Sequence, residues 1–424
     1  MRLDKWLAVA LVCSTASIWG QAARGALPTT PPNAAAGSLV MSPAPTGKAI
    51  DAPAIAFPDA SAPCPVDPPC PKGPCVWGSI ETLFWHVKSS PVVPLVTINP
   101  DPNSIASLAQ PGTTVVFGGS PIDFGSIAGV RGTLGGWIYD RSVGVEGSIF
   151  GLPTQGKTFT VASGGANSPV IAVPINSTVP FGFNAAGETT LNPGNTPSVI
   201  RVNATTQLFG AEALGLASLV NSPNCYVTVL GGFKYIDLRE SITVDQVFLD
   251  TLAPGNLSVH DGFTSRNQFY GATAGLRGGT MLWGCVGLEM TGKLSMGPVQ
   301  QEYTAAGATT ATGTPFGINP GSAASGILAL PSNSGSFTRN EFIIIPEGQA
   351  KLSVDLFSNL RLFVAYDFLY MSSVVRASSQ IDRNVNPTQN PFFLTATGTP
   401  APLPSFNRTD FWAQGVSAAV RFSF

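Results

Sequence analysis

The sequence is short of charged residues. Only 11% of its 424 residues are Asp, Glu, Lys or Arg, although 44% are hydrophobic. A soluble protein carries about 25% charged residues, so the shortage indicates that much of the surface does not face water. The formal net charge is −2. That value excludes the basic excess of a nucleic-acid-binding protein and the high net charge of a wholly disordered chain.

Long apolar runs and catalytic motifs are also lacking. Beyond residue 26 no stretch of 18 consecutive apolar residues could form a spanning helix, so a closed barrel is the remaining way to cross a membrane. The two histidines, His86 and His260, form no metal-binding pair, and there is no Gly-x-Ser-x-Gly motif. His260 and Asp261 could form a hydrolytic pair, but the prediction is a non-enzyme without metal or cofactor.

The N-terminus has the organisation of a secretory signal peptide. Arg2 and Lys5 precede an apolar stretch from Trp6 to Ile18, and small residues follow up to Ala26. Residues 1–26 are therefore predicted to direct export. Residues 27–75 are rich in Pro and Ala and cannot build a packed core, so they are predicted to form a disordered arm.

Six cysteines are present. Cys64, Cys70 and Cys75 match no standard zinc spacing, which favours one disulfide with one cysteine left over rather than a metal site. Cys225 and Cys285 fall on predicted strands with another strand between them. They are therefore interpreted as packed thiols and not as a disulfide.

From residue 76 the chain alternates between apolar and polar residues, which is typical of strands. This pattern predicts an all-β, transmembrane, antiparallel up-and-down barrel of about ten strands, with twelve possible, over residues 76–424. The predicted strands cover 77–88, 125–139, 142–152, 200–219, 224–240, 264–280, 283–297, 340–357, 359–372 and 408–424.

Short and long connections alternate between these strands. Short turns are predicted near 140–141, 221–223, 281–282 and 358–359, and long connections over 89–124, 153–199, 241–263, 298–339 and 373–407. Outer-membrane barrels have short periplasmic turns and long outer loops. Both chain ends are therefore predicted to lie on the periplasmic side of a bacterial outer membrane.

One face of the strands is polar and is predicted to line the lumen. Two interpretations stay open for its balanced charges: a selectivity-setting pore lining, or an ion-pair network that fills a narrow barrel. The predicted lumen residues are Arg131, Glu146, Lys234, Arg277, Glu289, Lys293, Glu347, Lys351, Asp355, Arg361, Asp367 and Arg421, joined by Glu81 and Glu212.

The last strand alternates up to the terminus. Phe424, Phe422 and Val420 share one face, and a C-terminal Phe that closes an alternating strand resembles the insertion signal of outer-membrane barrels. The expected partners are therefore outer-membrane lipid and the barrel-insertion machinery.

Several motifs along the chain stand out together. They are Trp77–Trp85, Gly231–Glu240, Thr264–Gly271, Pro346–Glu347, Tyr366–Tyr370, Val375–Asn386 and Phe411–Gly415. In these motifs the chain resembles a known family, the bacterial outer-membrane β-barrel porin family numbered seven. The resemblance covers about residues 75–424, and the outer loops depart from it. It implies a barrel that passes small polar solutes passively; the alternative is a structural or surface-interaction barrel with a closed, ion-pair-filled lumen.

Overall fold

A computed structural model describes residues 75–139, 142–180, 185–191, 196–222, 225–283, 285–393 and 395–424. The predicted signal peptide (1–26) and the predicted arm up to residue 74 lie outside these residues. Cys75, which was assigned to the arm, is the first residue of the first strand. None of the helices described is both long and apolar enough to span a membrane.

The main sheet is a closed ring of ten antiparallel strands, which confirms the predicted fold class. Each barrel strand pairs with the next barrel strand along the chain, and the last returns to the first. With all strands numbered in chain order, the ring consists of β1 (Cys75–Val87), β4 (Ser126–Tyr139), β5 (Val143–Gly164), β9 (Pro197–Ser222), β10 (Cys225–Asp250), β11 (Gly255–Trp283), β12 (Val286–Gly313), β14 (Gly335–Phe357), β15 (Leu360–Val375) and β17 (Arg408–Ser423).

The remaining strands are short and belong to the long connections. They are β2 (Val96–Asn99), β3 (Thr114–Phe117), β6 (Val170–Ala172), β7 (Pro174–Ser177), β8 (Gly187–Thr190), β13 (Gly321–Ala323) and β16 (Asn384–Val385). β2 pairs with β3 and β6, and β7 pairs with β8 and β16. Three short 3₁₀ turns, Pro315–Gly317, Ala377–Gln380 and Pro387–Gln389, lie in the same connections.

The seam between β1 and β17 closes the ring. The paired register runs from Trp77 opposite Ser423 to Val87 opposite Ala413. The backbone N–H of Phe424 donates to the carbonyl of Val76 at 2.8 Å. Both ends of the barrel, and the four short turns, therefore lie together at one edge, which we call the turn end; the opposite edge is the loop end.

Several of the predicted connections were placed wrongly. β5 continues to Gly164 and β12 to Gly313, so the long connections expected over 153–199 and 298–339 begin later than predicted. The region 241–263 was expected to be a long loop, but β10 continues to Asp250 and β11 begins at Gly255. The period of two persists there, because Ile242, Val244 and Phe248 face inward and are buried. The turn expected at 281–282 lies between the end of β11 at Trp283 and the start of β12 at Val286.

The outer surface carries an apolar belt. Outward-facing side chains in the turn-end half of the ring are large, hydrophobic and unburied, as with Ile80 (75% exposed) and Leu134 (67% exposed). An apolar band of this kind is the lipid-facing surface of a membrane barrel. The belt includes Ile80, Phe84, Val130, Leu134, Ile149, Phe233, Leu276, Met290, Val364 and Val416.

Candidate functional site: the charged barrel interior

Inward-facing positions alternate with the belt, and small residues among them make room for large ones. A Cβ on Gly135 would lie 2.4 Å from the ring of Trp77, and a Cβ on Gly279 would lie 2.4 Å from the ring of Tyr226. The glycines therefore allow two bulky side chains to enter a narrow ring. The space that remains is occupied by charged side chains in three clusters.

The first cluster is centred on Arg131. Its Nη1 lies 3.0 Å from Glu81 of the adjacent strand β1 and 3.0 Å from Asp367 of β15. Because β1 and β17 separate β4 from β15 in the ring, the second bond crosses the interior. Gln349 and Ser417 also donate to Asp367, at 2.8 and 3.1 Å, so this carboxylate is fully engaged.

The second cluster joins two lysines to two glutamates. The Nζ of Lys234 donates to Glu212 at 3.0 Å and to Glu347 at 2.6 Å. The Nζ of Lys293 donates to both oxygens of Glu212 at 2.7 Å and lies 3.6 Å from Glu347. Lys234 is only 2% exposed. A lysine that deep needs paired carboxylates, because an unpaired buried charge is costly.

The third cluster lies around Arg277 and Glu289. Arg277 donates two bonds to Glu146, at 2.6 and 3.0 Å, in bidentate geometry. Lys351 donates to Glu289 at 2.9 Å, and the hydroxyl of Tyr226 also donates to Glu289. Lys351 and Glu289 lie on paired strands, whereas Arg277 of β11 reaches Glu146 of β5 past two intervening strands, so this contact braces the barrel from within.

A polar cavity of about 80 Å³ lies between the clusters. Four buried polar atoms on its wall make no hydrogen bond within the described residues: Nε1 of Trp77 and Trp85, Nε of Arg277 and Oγ1 of Thr291. A water needs about 10–15 Å³ of such space and several polar partners. The membrane-level interior is thus narrow and suited to hold a few waters.

Comparison with known proteins gives the family. A family model described as Putative beta barrel porin-7 matches residues 77–424. The chain belongs to this family. The match confirms the resemblance drawn from the motifs, and the chain is accordingly a β-barrel of the bacterial outer membrane. No curated protein matches it.

Solved structures similar to the chain include the outer membrane protease OmpT from Escherichia coli, with 10% identity over 82% of this chain and 97% of that one and a TM-score of 0.41. A Pseudomonas aeruginosa FadL homologue has 8% identity over 83% and 90% and a TM-score of 0.22. An anion-selective porin from Comamonas acidovorans has 10% identity over 83% and 99% and a TM-score of 0.17. Similarity at these values concerns the fold alone.

The remaining charges that were predicted to line the lumen lie near the turn end. Arg361 of β15 donates from Nη2 to Asp355 of β14 at 2.9 Å. Arg421 lies 5.1 Å from the centre of the Trp77 ring, and no ion pair of the described residues includes it. The structure therefore brings the sequence-selected charges together inside the ring, with Arg421 stacked instead of paired.

The side chains chosen as an insertion signal face outward. Phe422 is 46% exposed and Phe424 80% exposed, whereas Ser417 and Ala419, on the opposite face, are buried. Val420 shares the outward face and is half-buried. This alternation places the terminal aromatic residues on the belt at the turn end.

Above the charged clusters, the loop end is filled by loops, and sequence reasoning missed this feature. We call these inward-packed segments the loop plug. Apolar runs within the connections could have indicated it, because such runs are out of place in solvated loops. Its buried residues include Leu95, Val96, Ile122, Phe124, Ile171, Val173, Ile175, Ile327, Leu328, Ala329, Leu330, Ile381 and Val385.

Polar side chains of the wall hold the loop plug. Asp261, fully buried, accepts the backbone N–H groups of Ile327, Leu328 and Ala329 at 2.7–3.0 Å. Asn267 bonds both the N–H and the carbonyl of Val375 at 2.8 Å.

A buried ion pair lies beside these contacts. Arg376 donates to Glu240 at 2.6 Å, and neither side chain is more than 3% exposed. Its Nη2 also donates to the carbonyl of Lys88 at 3.1 Å.

The hydrolytic pair considered from the sequence is not formed. Asp261 faces inward, whereas His260 faces outward and its Nδ1 lies 2.6 Å from Asp245. Adjacent residues of a strand point to opposite faces, which explains the separation. Across the residues that the structure describes, no group of three or more His, Cys, Asp or Glu could hold a metal.

The cysteine predictions are partly wrong. Cys75 is disulfide-bonded, and Cys64 and Cys70 lie outside the described residues. Cys285 is also disulfide-bonded and is not a packed thiol, whereas Cys225 is buried as expected. Strand spacing argued only against a bond between Cys225 and Cys285, so it carried no information on other partners.

Proposed function

We propose that the chain is an outer-membrane porin for small polar solutes that is closed in the conformation described. The observation that carries this proposal is the polar cavity at membrane level, whose wall bears charged groups and unbonded polar atoms. The loop plug lies directly above it and is made of connections. A change in the loops could therefore open the path while the ring stays intact.

The first experiment measures conductance in planar bilayers. The native protein should show few current steps, and Asp261→Ala should show discrete steps that scale with salt, because three plug N–H groups lose their acceptor. Asp245→Ala is the matched control. Asp245 lies next to Val244, the residue of β10 that pairs with Asp261, but its carboxylate is on the outer face. Steps that are equally rare in both variants would contradict plug opening.

Ion preference tests the lumen assignment. In the conducting Asp261→Ala background, Lys293→Gln with Lys351→Gln should shift selectivity toward cations, because two positive charges leave the wall. Arg201→Gln, which removes an exposed positive charge on the outer face of β9, is the control. Unchanged selectivity would show that the current does not pass these clusters.

A structural or surface-interaction barrel is the second candidate function. It is favoured by the same interior, because the charges are balanced in ion pairs and the loop plug is as buried as a domain core. In that case no variant conducts. The Lys293 and Lys351 double change should then only destabilise the barrel, by about 3–5 kcal/mol, because buried carboxylates lose partners.

We propose no catalytic role for the chain. The support is that His260 engages Asp245 on the outer face, with both side chains more than 40% exposed. Residues 1–26 are proposed to direct export, and residues 27–74, up to the start of β1 at Cys75, to form the periplasmic arm. We also propose that the barrel-insertion machinery recognises the terminal apolar face formed by Phe424, Phe422 and Val420.

Orientation can be tested on intact cells. A protease site inserted at Leu252, in the loop-end turn between β10 and β11, should be cut from outside. A site between Ser358 and Asn359, in a turn-end connection, should be protected. The reverse pattern would invert the barrel. The protein should also remain in the outer-membrane fraction after carbonate washing.

A further inference from the structure

Two arginines lie directly opposite each other on the outer face of the barrel. Arg239 of β10 pairs in register with Arg266 of β11. Like charges in directly opposed positions destabilise a sheet. They lie on the face opposite to Lys234 and Glu240, so they belong to the outer surface and take no part in the lumen clusters.

One carboxylate holds both guanidinium groups. Asp237, only 4% exposed, accepts from Nε and Nη2 of Arg239 at 3.1 and 2.7 Å. It also accepts from Nε and Nη2 of Arg266, with the shortest contact at 2.8 Å. The hydroxyl of Tyr235 donates at 3.2 Å to Oδ2 of Asp237, the oxygen that also accepts from Nη2 of both arginines.

This arrangement orients the arginines and leaves them charged. Both use the Nε and Nη2 edge on Asp237, and among the residues that the structure describes no carboxylate accepts a hydrogen bond from Nη1 of either arginine. Their side chains are 52% and 37% exposed. Two positive charges held by one negative charge leave a net charge of +1, and a guanidinium group donates paired hydrogen bonds of the kind that a phosphate group accepts.

The pair lies at the loop-end edge of the apolar belt. Along β10 the outward residues change from Phe233 through Tyr235 to Asp237 and Arg239, and along β11 from Leu276 through Tyr270 to Arg266. The rings of Tyr235 and Tyr270 lie 5.0 Å apart. Aromatic girdles of this kind mark the membrane interface, where lipid headgroups lie.

An apolar groove runs from the same tyrosine into the belt. It has a volume of about 590 Å³ and is lined by Leu134, Ile149, Ala213, Phe233 and Tyr235 among others. A cationic pair above an apolar groove matches an amphiphile with an anionic head and a hydrocarbon chain.

We propose that Arg239, Arg266 and Asp237 form a binding site for the phosphate group of a membrane lipid, with one acyl chain in the groove below Tyr235. Arg239 and Arg266 contact the phosphate oxygens through Nη1, and Asp237 positions both. The site is on the outer face, so it is independent of whether the lumen conducts.

The test is lipid titration of the purified full-length protein in detergent, followed by native mass spectrometry. The probes are dioleoyl phosphatidate, dioleoylglycerol, which has the same chains without phosphate, and inorganic phosphate. Phosphatidate should bind saturably and at least about tenfold more tightly than either other probe. Equal binding of dioleoylglycerol would overturn the phosphate site, and equal binding of inorganic phosphate would overturn the lipid assignment.

Variants separate a ligand site from a structural ion pair. Arg239→Gln with Arg266→Gln should weaken phosphatidate binding about 100-fold, roughly tenfold for each lost charge-assisted contact. Asp237→Asn, with one negative charge fewer, should bind at least as tightly as the native protein. Arg201→Gln removes another exposed, outward arginine higher on β9 and should change nothing.

Folding is checked by circular dichroism before each titration. If the double variant does not fold, a triple variant that also carries Asp237→Asn takes its place in the titration. The triple variant has no charge at the three positions, so it contains no carboxylate without a partner there. Native affinity in a folded double or triple variant would overturn the proposal. So would a loss of affinity in Arg201→Gln as large as in the double variant.

Discussion

The two halves of the barrel interior are filled in different ways. At membrane level the strands themselves supply the filling, as charged side chains such as Arg131 and Lys234 that reach across the ring. At the loop end the connections supply it, as apolar side chains such as Ile327 and Leu328. The outer face changes at about the same height, from the apolar belt to Asp237 and Arg239.

The difference follows from what surrounds each half. Within the membrane the apolar side chains lie on the outer face, where they contact lipid. The polar side chains face the interior, and they pair there because a ring of ten strands is narrow. Outside lipid the strand extensions need an apolar core as a soluble protein does, and the loops fold inward to provide it. The membrane half should therefore depend on charge pairing, and the loop half on burial with a few buried polar anchors.

The largest expected effect is the loss of a polar anchor in the apolar half. Arg376→Met leaves Glu240 buried beneath the loop plug without a cation, at a cost of about 3–5 kcal/mol in the free energy of unfolding. Urea unfolding in lipid vesicles, followed by tryptophan fluorescence, measures it.

The matched control removes both charges. Arg376→Met with Glu240→Leu should recover most of the stability, because a well-packed apolar pair replaces a buried ion pair at little cost. If the single variant were as stable as the native protein, the pair would not anchor the plug.

Apolar burial in the loop plug is tested by a smaller change. Leu328→Ala should cost about 2–4 kcal/mol, because Leu328 is fully buried and the deletion leaves a cavity. Leu252→Ala, at a side chain 97% exposed in the loop-end turn, should change stability by less than about 0.5 kcal/mol. A similar loss in both variants would contradict a packed plug.

The membrane half should tolerate single losses better, because its clusters are redundant. Lys234→Met removes one partner of Glu212 and Glu347, but Lys293 still bonds Glu212 and lies near Glu347. We expect a cost of about 2 kcal/mol, less than for Arg376→Met. Removing Lys234 and Lys293 together should cost more than the sum of the single changes. Strict additivity would mean that the lysines act separately.

Sequence reasoning succeeded where structure is local and failed where it is not. Period-two alternation gave ten strands and the charged set, because each side chain's face depends only on its own strand. Partners such as Arg131 and Asp367, which meet across the ring, could not be assigned from a list of charges. The loop plug was missed because its contacts join segments far apart in sequence, as when Asp261 binds Leu328.

The strand bounds show the same limit. The interpretation of 241–263 as a loop passed over Ile242, Val244 and Phe248, which continue the alternation of β10. Their burial depends on the plug, which the strand pattern does not contain. The outward pair Arg239 and Arg266 was overlooked for a related reason, since the register of β10 against β11 is needed to place the two side chains together.

The smallest expected effect on stability concerns the last residue, and it separates assembly from packing. Phe424 is 80% exposed on the lipid-facing side, so Phe424→Ala should change the unfolding free energy of the assembled barrel by less than about 0.5 kcal/mol. The backbone bonds between Phe424 and Val76 do not depend on the side chain. If the terminal aromatic face is an insertion signal, the amount of assembled protein in cells should nevertheless fall, and Ser423→Ala should leave it unchanged. Equal assembly of both variants would contradict the signal, and a large loss of stability would assign Phe424 to packing at the β1–β17 seam.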